Sequence, residues 1–334
     1  MTGASKSGGA RTLQILNSEP TGYSREARSV LESIGEVVDD DCDRARLIES
    51  VGGFDVLIVR LRNRVDGVVL DAARRLKVVV SATTGLDHID LGACKRRGIE
   101  VLSLRGETEF LRTVSATAEH TWALLLGLIR HLPAAHASVL RGEWDRDEYR
   151  GHELDGKRLG IVGLGRLGSH VARYGQAFGM SVSAHDPHLA AALWPVGIDR
   201  FTSLTDLMAR SDVVSLHVPL TDQTRHMIGA RELALLPRGS VLVNTSRGQV
   251  LDEHALLDAL AEGRLAGAAL DVIDGERDDG HAALSTIVQY ARTHPNLLVT
   301  PHIGGATHES MAKTEIFMAR KLERHLRRPE AAAR

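Results

Sequence analysis

The run Gly163-Leu164-Gly165-Arg166-Leu167-Gly168 constrains this chain more than any other feature. It follows the apolar stretch Arg158–Val162 and opens an amphipathic one, so it reads as the turn between a β-strand and a helix. In such a turn the first glycine bends the chain sharply. The second lets the backbone approach a pyrophosphate, and the third lets helix and strand lie close. The helix start offers unpaired N–H groups and a partial positive charge to an anion. The pattern alone is weak, because an ordinary glycine turn can show it. Here the next strand, Met180–His185, delivers Asp186 about twenty positions on, where a carboxylate can accept hydrogen bonds from ribose hydroxyls. Pro187 and His188 come next, and no arginine stands there to take a 2′-phosphate. Together these predict a dinucleotide site for NAD rather than NADP, with Gly163, Gly165, Gly168 and Asp186 as binding residues.

The rest of the chain alternates in the same way. Thr12–Leu16, Asp55–Val59, Leu76–Val80 and Glu100–Leu104 read as strands, with amphipathic stretches such as Arg25–Ile34 between them. A long helical pattern over Ser115–His131 has no strand attached and reads as a connector that leaves the first domain and packs against the second. A polar stretch, Arg141–Gly151, comes next. The alternation then resumes with Arg158–Val162, Met180–His185, Asp212–His217, Ser240–Thr245, Ala268–Val272 and Asn296–Thr300. One helix is well punctuated: Asp252 can cap it, Ala255, Leu256, Ala259 and Leu260 give an apolar stripe, and Gly263 can stop it. A final helix is expected over Thr307–Leu326. Met1–Ala10 reads as a mobile tail and Pro329–Arg334 as a frayed end. The class is α/β, with parallel sheets covered by helices.

Composition excludes several functions. Lys and Arg number 41 against 43 Asp and Glu, so the basic excess of a nucleic-acid partner is missing. Cys42 and Cys94 are too few for a disulfide framework and lack metal-ligand spacing, which suits a reducing cytoplasm and no metal. No run has the length of a membrane span or the core of a signal peptide, so no membrane partner is expected.

Arg247, Glu276 and His302 each stand just past the end of a late strand. Ligands of open parallel sheets bind at the carboxyl ends of the strands. Taken singly, each residue has a bland explanation: a surface ion pair, a solvated acidic loop, a structural histidine. As a set they suit hydride transfer to a 2-oxo acid. The guanidinium is a planar two-pronged donor for a carboxylate, histidine exchanges a proton near neutral pH, and a carboxylate beside it would stabilise imidazolium.

On these residues the chain resembles the D-isomer-specific 2-hydroxyacid dehydrogenases, the group that includes D-3-phosphoglycerate dehydrogenase. The resemblance runs from about Leu13 to Leu326. Its motifs are Leu164–Gly168, Asp212–Pro219, Val243–Gly248, Ala269–Val272 and Thr300–Gly305. It implies that Arg247 binds substrate, His302 is the acid/base and Glu276 pairs with His302. It also implies NAD contacts at Arg166, Leu167, Asp186, His217, Pro219, Thr224, Thr245 and Asp271. The segment Ala82–Asp90 is implied to offer backbone N–H groups to the substrate carboxylate around Thr84, Gly85 and Leu86. The implied layout is a Rossmann NAD-binding domain, residues 111–302, inserted into a flavodoxin-like substrate domain of residues 11–110 and 303–327. The inserted domain is often used for dimerisation in this family, so a homodimer is expected.

Three features depart from the family pattern. The stretch before the connector helix reads Arg112–Glu119, without the usual Asn-Thr pair. Arg277 stands where a proline is usual after Glu276, and a longer insertion leads to Pro295. The chain ends after the last helix, so a regulatory domain of the kind in longer phosphoglycerate dehydrogenases is not expected.

Arg60, Arg62 and Arg64 alternate in a strand-like stretch, which would place them on one face. Arg60 also falls where phosphoglycerate dehydrogenases hold the substrate phosphate. A second anionic group on the substrate is one reading, and a set of solvated arginines is the other. Two further alternatives stay open: a formate- or phosphite-type dehydrogenase, and an NAD(H)-sensing binding protein of the corepressor type.

Overall fold

The computed structural model describes residues 11–276 and 285–327. The expected N-terminal tail, the position of Arg277 and the expected frayed end fall outside these residues. The chain divides into two compact units, one of Met1–Glu107 with His308–Arg334 and one of Thr108–Thr307.

The first unit is built on five parallel strands: β1 (Gln14–Asn17), β2 (Glu36–Asp39), β3 (Val56–Val59), β4 (Val78–Ser81) and β5 (Glu100–Ser103). Their order, β2-β1-β3-β4-β5, is the flavodoxin-like doubly wound arrangement. Every residue of β3 and β4 is buried, as expected of strands covered on both faces. No strand signal in the sequence marks β2. It is an edge strand of sequence Glu-Val-Val-Asp with no fully buried residue, so it carries no apolar run.

The second unit holds seven parallel strands: β6 (Arg158–Val162), β7 (Ser181–His185), β8 (Asp199–Arg200), β9 (Val213–Leu216), β10 (Ser240–Asn244), β11 (Leu265–Leu270) and β12 (Leu297–Val299). The order is β12-β11-β10-β9-β6-β7-β8. Chain direction across the sheet reverses between β6 and β9, the switch point where open sheets of this kind take their ligands. β8 likewise has no strand signal in the sequence, because two exposed residues leave no pattern.

The connector helix, Ala116–Ile129, lies on this sheet. Ala118, Trp122, Leu125 and Leu128 share one core with Leu159, Ile161, Val243 and Ala269. A second helix, Leu132–Leu140, starts at His131 in the left-handed region (φ 52°) and lies where the sequence suggested no element. The punctuated helix forms over Glu253–Ala261. The Asp252 side chain accepts from the N–H groups of His254 and Ala255, and Gly263 takes φ 63° just beyond the end. By compactness, residues 303–307 group with the second unit, whereas the resemblance placed them in the first. The Asp271 carboxylate accounts for this, since it accepts hydrogen bonds from the Ile303 and Gly304 N–H groups. Among the described residues no single helix is long and apolar enough to cross a membrane.

Candidate active site

The glycine turn closes the carboxyl end of β6. Gly163 has φ 91°, and a side chain there would meet Val218 and the His217 backbone. At Gly168 an added Cβ would lie 2.1 Å from the Gly163 carbonyl oxygen, so the helix Arg166–Ala177 sits on the turn at a distance only glycine allows. Gly165 differs. It is exposed at the helix start, and a Cβ there would meet nothing within 4 Å. The protein crowds the first and third glycines and leaves the second open, which fits a pyrophosphate resting on that backbone.

Asp186 follows β7 directly. One carboxylate oxygen accepts the Leu164 N–H at 3.0 Å, and the other accepts the His188 and Leu189 N–H groups at 2.9 and 3.1 Å. The acid is thereby held beside the glycine turn. Arg166 donates to the carbonyls of Val114 (2.7 Å) and Leu111 (3.4 Å), and burial lowers the pKa of its guanidinium. Leu167 is half-buried in the first turn of the same helix.

His217 leaves β9 with Nε2 at 2.8 Å from the Ser215 hydroxyl. Its Nδ1 is buried and has no partner among the described residues. Desolvation brings its pKa down to about 3, so the ring is neutral at physiological pH. An orphaned buried nitrogen beside the glycine turn is what a bound dinucleotide could satisfy. Pro219 and Thr224 form one small turn in which the Thr224 hydroxyl donates to the Pro219 carbonyl at 2.6 Å.

Arg247 lies just past β10, on a loop held from within. Asn244 is fully buried; its amide donates to the Arg247 carbonyl (2.9 Å), and its oxygen accepts from the Ser246 N–H and hydroxyl. The Arg247 guanidinium donates to the Ser246 carbonyl at 2.7 Å. A Cβ at Gly248 would lie 2.1 Å from the Ile273 carbonyl carbon. The Arg247 loop is therefore pressed against the segment that leads to Glu276. Thr245, 5% exposed, bonds the Thr121 hydroxyl at 2.8 Å.

Asp271, directly after β11, organises the turn beyond β12. One oxygen accepts from the Ile303 N–H (2.8 Å) and the Thr300 hydroxyl (2.7 Å) and lies 3.2 Å from His120 Nε2; the other accepts from the Gly304 N–H (2.7 Å). Burial pushes its pKa up, but these donors outweigh burial and hold it below the usual carboxylate range. The Asp271 carbonyl takes the His302 N–H at 2.8 Å. His302 adopts φ 53° in this turn, and its Nδ1 lies 2.6 Å from Glu276 Oε1. His302 Nε2 makes no hydrogen bond among the described residues.

Glu276 and His302 are thus in direct contact, and Arg247 stands at the end of the strand next to β11. The other implied residues lie in the first unit. There the N–H groups of Thr84, Gly85 and Leu86 meet no protein acceptor among the described residues, while the Thr83 hydroxyl donates to the Gly85 carbonyl at 2.8 Å. Three consecutive open N–H groups suit a carboxylate. Arg60 is otherwise engaged. β3 stops at Val59, so the arginines lie in a loop and not on one strand face. The Arg60 guanidinium pairs with Glu315, 2% exposed, and donates to the Thr21 carbonyl at 3.0 Å. Arg62 pairs with Asp41.

Three contributors escaped the sequence reading: Asn244, Gly248 and His120. Asn244 and Gly248 flank Arg247 within a motif already singled out. His120 left one signal, a histidine next to the apolar run of its helix, Trp122–Ile129.

The model for the D-isomer specific 2-hydroxyacid dehydrogenase NAD-binding domain matches residues 122–304. The chain is 36% identical over 317 residues to D-3-phosphoglycerate dehydrogenase of Methanocaldococcus jannaschii, covering 94% of this chain but only 58% of that protein. It is 42% identical over 270 residues to (S)-sulfolactate dehydrogenase of Chromohalobacter salexigens, covering 80% of this chain and 83% of that one. Among solved structures it resembles D-lactate dehydrogenase of Aquifex aeolicus complexed with NAD and lactic acid, with a TM-score of 0.80, 30% identity and coverage of 94% and 95%.

Proposed function

Since the chain belongs to the D-isomer specific 2-hydroxyacid dehydrogenase family, we propose that it interconverts a small D-2-hydroxy acid and its 2-oxo acid with NAD(H). The observation that carries this reading is the His302–Glu276 contact at the exits of strands β12 and β11, beside the β10 exit that bears Arg247.

NADH, when bound, supplies the hydride; Gly163, Gly165, Gly168, Arg166, Leu167, Asp186, His217, Pro219, Thr224, Thr245 and Asp271 are the residues that would hold it. Arg247 grips the substrate carboxylate and the 2-oxo oxygen with a fork that lysine cannot copy. In the first unit, the open N–H groups of Thr84, Gly85 and Leu86 are of a kind that suits a carboxylate. His302 gives a proton from Nε2 to the 2-oxo oxygen as negative charge develops there. Glu276 accepts from Nδ1–H, which leaves Nε2 as the exchanging nitrogen and stabilises the imidazolium in the oxidative direction.

The same reading includes a homodimer formed through the second unit. Leu132, Val139, Leu140 and Trp144 are large apolar residues exposed close together in sequence on this unit, which supports a contact between copies there. It also includes a cytoplasmic setting, in keeping with Cys42 and Cys94 as free, buried thiols.

The test is NADH consumption against glyoxylate, hydroxypyruvate, pyruvate, phosphohydroxypyruvate and sulfopyruvate, with NADPH in parallel. Turnover of at least one acid with NADH, and less with NADPH, is expected. NADH binding without turnover of any acid would overturn the reading.

A further inference from the structure

We propose that His120 is a positioning residue that sets the acid/base turn against the arginine loop; this rests on His302 and Arg247 acting as described above. His120 lies in the connector helix, with Nε2 3.2 Å from Asp271 Oδ1 and 3.0 Å from the Thr300 hydroxyl oxygen. The Thr300 proton is already spent on Asp271 Oδ1. Nε2 therefore faces two acceptors and must itself carry a proton, an assignment fixed by the hydrogen-bond network. His120 acts here as a donor.

The position of His302 depends on what this donor holds. His302 adopts left-handed backbone (φ 53°), a conformation that costs free energy for any residue but glycine and persists only where neighbours enforce it. The neighbours are the Asp271 carbonyl, which takes the His302 N–H, and the Asp271 carboxylate, which takes Thr300, Ile303 and Gly304. Gly304 has no room to move toward the helix: a Cβ there would lie 2.9 Å from Asp271 Oδ2 and 3.2 Å from Thr117 Cγ2. His120 ties this whole assembly to the helix from the remaining side.

The adjacent residue, Thr121, bonds Thr245, two positions before Arg247. One helical turn thus holds the exits of β10, β11 and β12 together. Arg247 must grip the substrate while His302 meets the oxygen of the same molecule, so their relative placement is what the helix fixes. Small displacements of such groups cost rate more than affinity.

The experiment compares the full-length wild type with His120→Gln, His120→Leu and His302→Gln. Glutamine keeps an N–H donor on a side chain of similar reach; leucine removes it. In His120→Leu, kcat for the best 2-oxo acid should fall about tenfold to a hundredfold. KM and the NADH dissociation constant should stay within about threefold, and His120→Gln should recover kcat to within about threefold. A second readout needs no turnover. The downfield imidazole proton of the His302–Glu276 hydrogen bond, identified by its loss in His302→Gln, should shift or broaden in His120→Leu and persist in His120→Gln. Unchanged kcat and resonance in His120→Leu would overturn the proposal. So would equal impairment of His120→Gln, or a loss confined to cofactor affinity. If His120→Leu does not fold, Thr300→Val, which removes one acceptor of the same N–H, takes its place with the same expected and contrary results. A wild type inactive on every 2-oxo acid would sink the dehydrogenase reading instead, and the resonance would still decide the positioning claim.

Discussion

Nδ1 of His302 lies 2.6 Å from Oε1 of Glu276, joining two residues that are 26 positions apart in the chain and stand past neighbouring strands. Both side chains are about one-fifth exposed, so the pair is partly shielded from water and still reachable. Glu276→Gln keeps an acceptor for Nδ1–H but removes the charge that stabilises imidazolium. Glu276→Ala removes both. The expected order of kcat is wild type, then Gln, then Ala, with the alanine variant about a hundredfold down or more. Steady-state kinetics in the direction of 2-hydroxy acid oxidation checks this, and equal turnover by all three would break the link between the pair and catalysis.

The glycines separate binding from folding. Gly165→Ala adds a methyl into open space, so the thermal midpoint should barely move while NADH affinity falls about tenfold or more. Gly168→Ala places a methyl 2.1 Å from a carbonyl oxygen and should destabilise the fold by about 1–3 kcal/mol. Thermal denaturation and an NADH titration of both variants check the contrast.

His217 makes stability depend on pH. Its folded pKa is about 3, against about 6.5 in the unfolded chain. Above pH ~6.5 neither state binds the proton and the residue costs nothing. As pH falls from there toward about 3, only the unfolded chain takes the proton up. Folded stability then declines from this residue by up to about 1.4 kcal/mol per pH unit. Urea midpoints at pH 7 and pH 5 should differ less in His217→Gln than in the wild type, and an equal difference would place the proton elsewhere.

Arg60 is committed to Glu315, which also accepts the Ser24 N–H at 2.7 Å. Burial raises the pKa of Glu315, and the Ser24 amide and Arg60 partly offset that. Arg60→Met leaves this buried carboxylate with the Ser24 N–H but without its cation, at a cost of about 3 kcal/mol. The KM values for phosphohydroxypyruvate and pyruvate should then change by the same factor. A selective rise for the phosphorylated acid would instead make Arg60 the reader of a second anion.

Much of this was legible in the residues because the signals were local. Arg158–Val162 forms a strand with the expected bounds, Asp252 caps its helix, and the Gly163–Gly168 turn sits at the switch point of the sheet. What escaped had no local signature. His120 meets Asp271 across 151 positions of sequence, and no spacing rule connects a histidine in a helix to a carboxylate at a distant strand exit. β2 and β8 lie at sheet edges with few buried residues, so hydrophobic periodicity is silent there. Arg60, Arg62 and Arg64 alternate as a strand would, but β3 ends before them and Glu19 gathers the N–H groups of Arg60 and Arg62 in a loop. Periodicity cannot see a strand end set by a distant carboxylate.

The most direct test of the account is turnover and NADH binding measured together in Arg247→Lys and His302→Gln, using the best 2-oxo acid. Both variants should bind NADH as the wild type does while kcat/KM falls about a hundredfold or more, since one loses the two-pronged grip on substrate and the other the proton donor. Near wild-type kcat/KM in either variant, with NADH binding intact, would contradict the assignment of that residue to the chemistry.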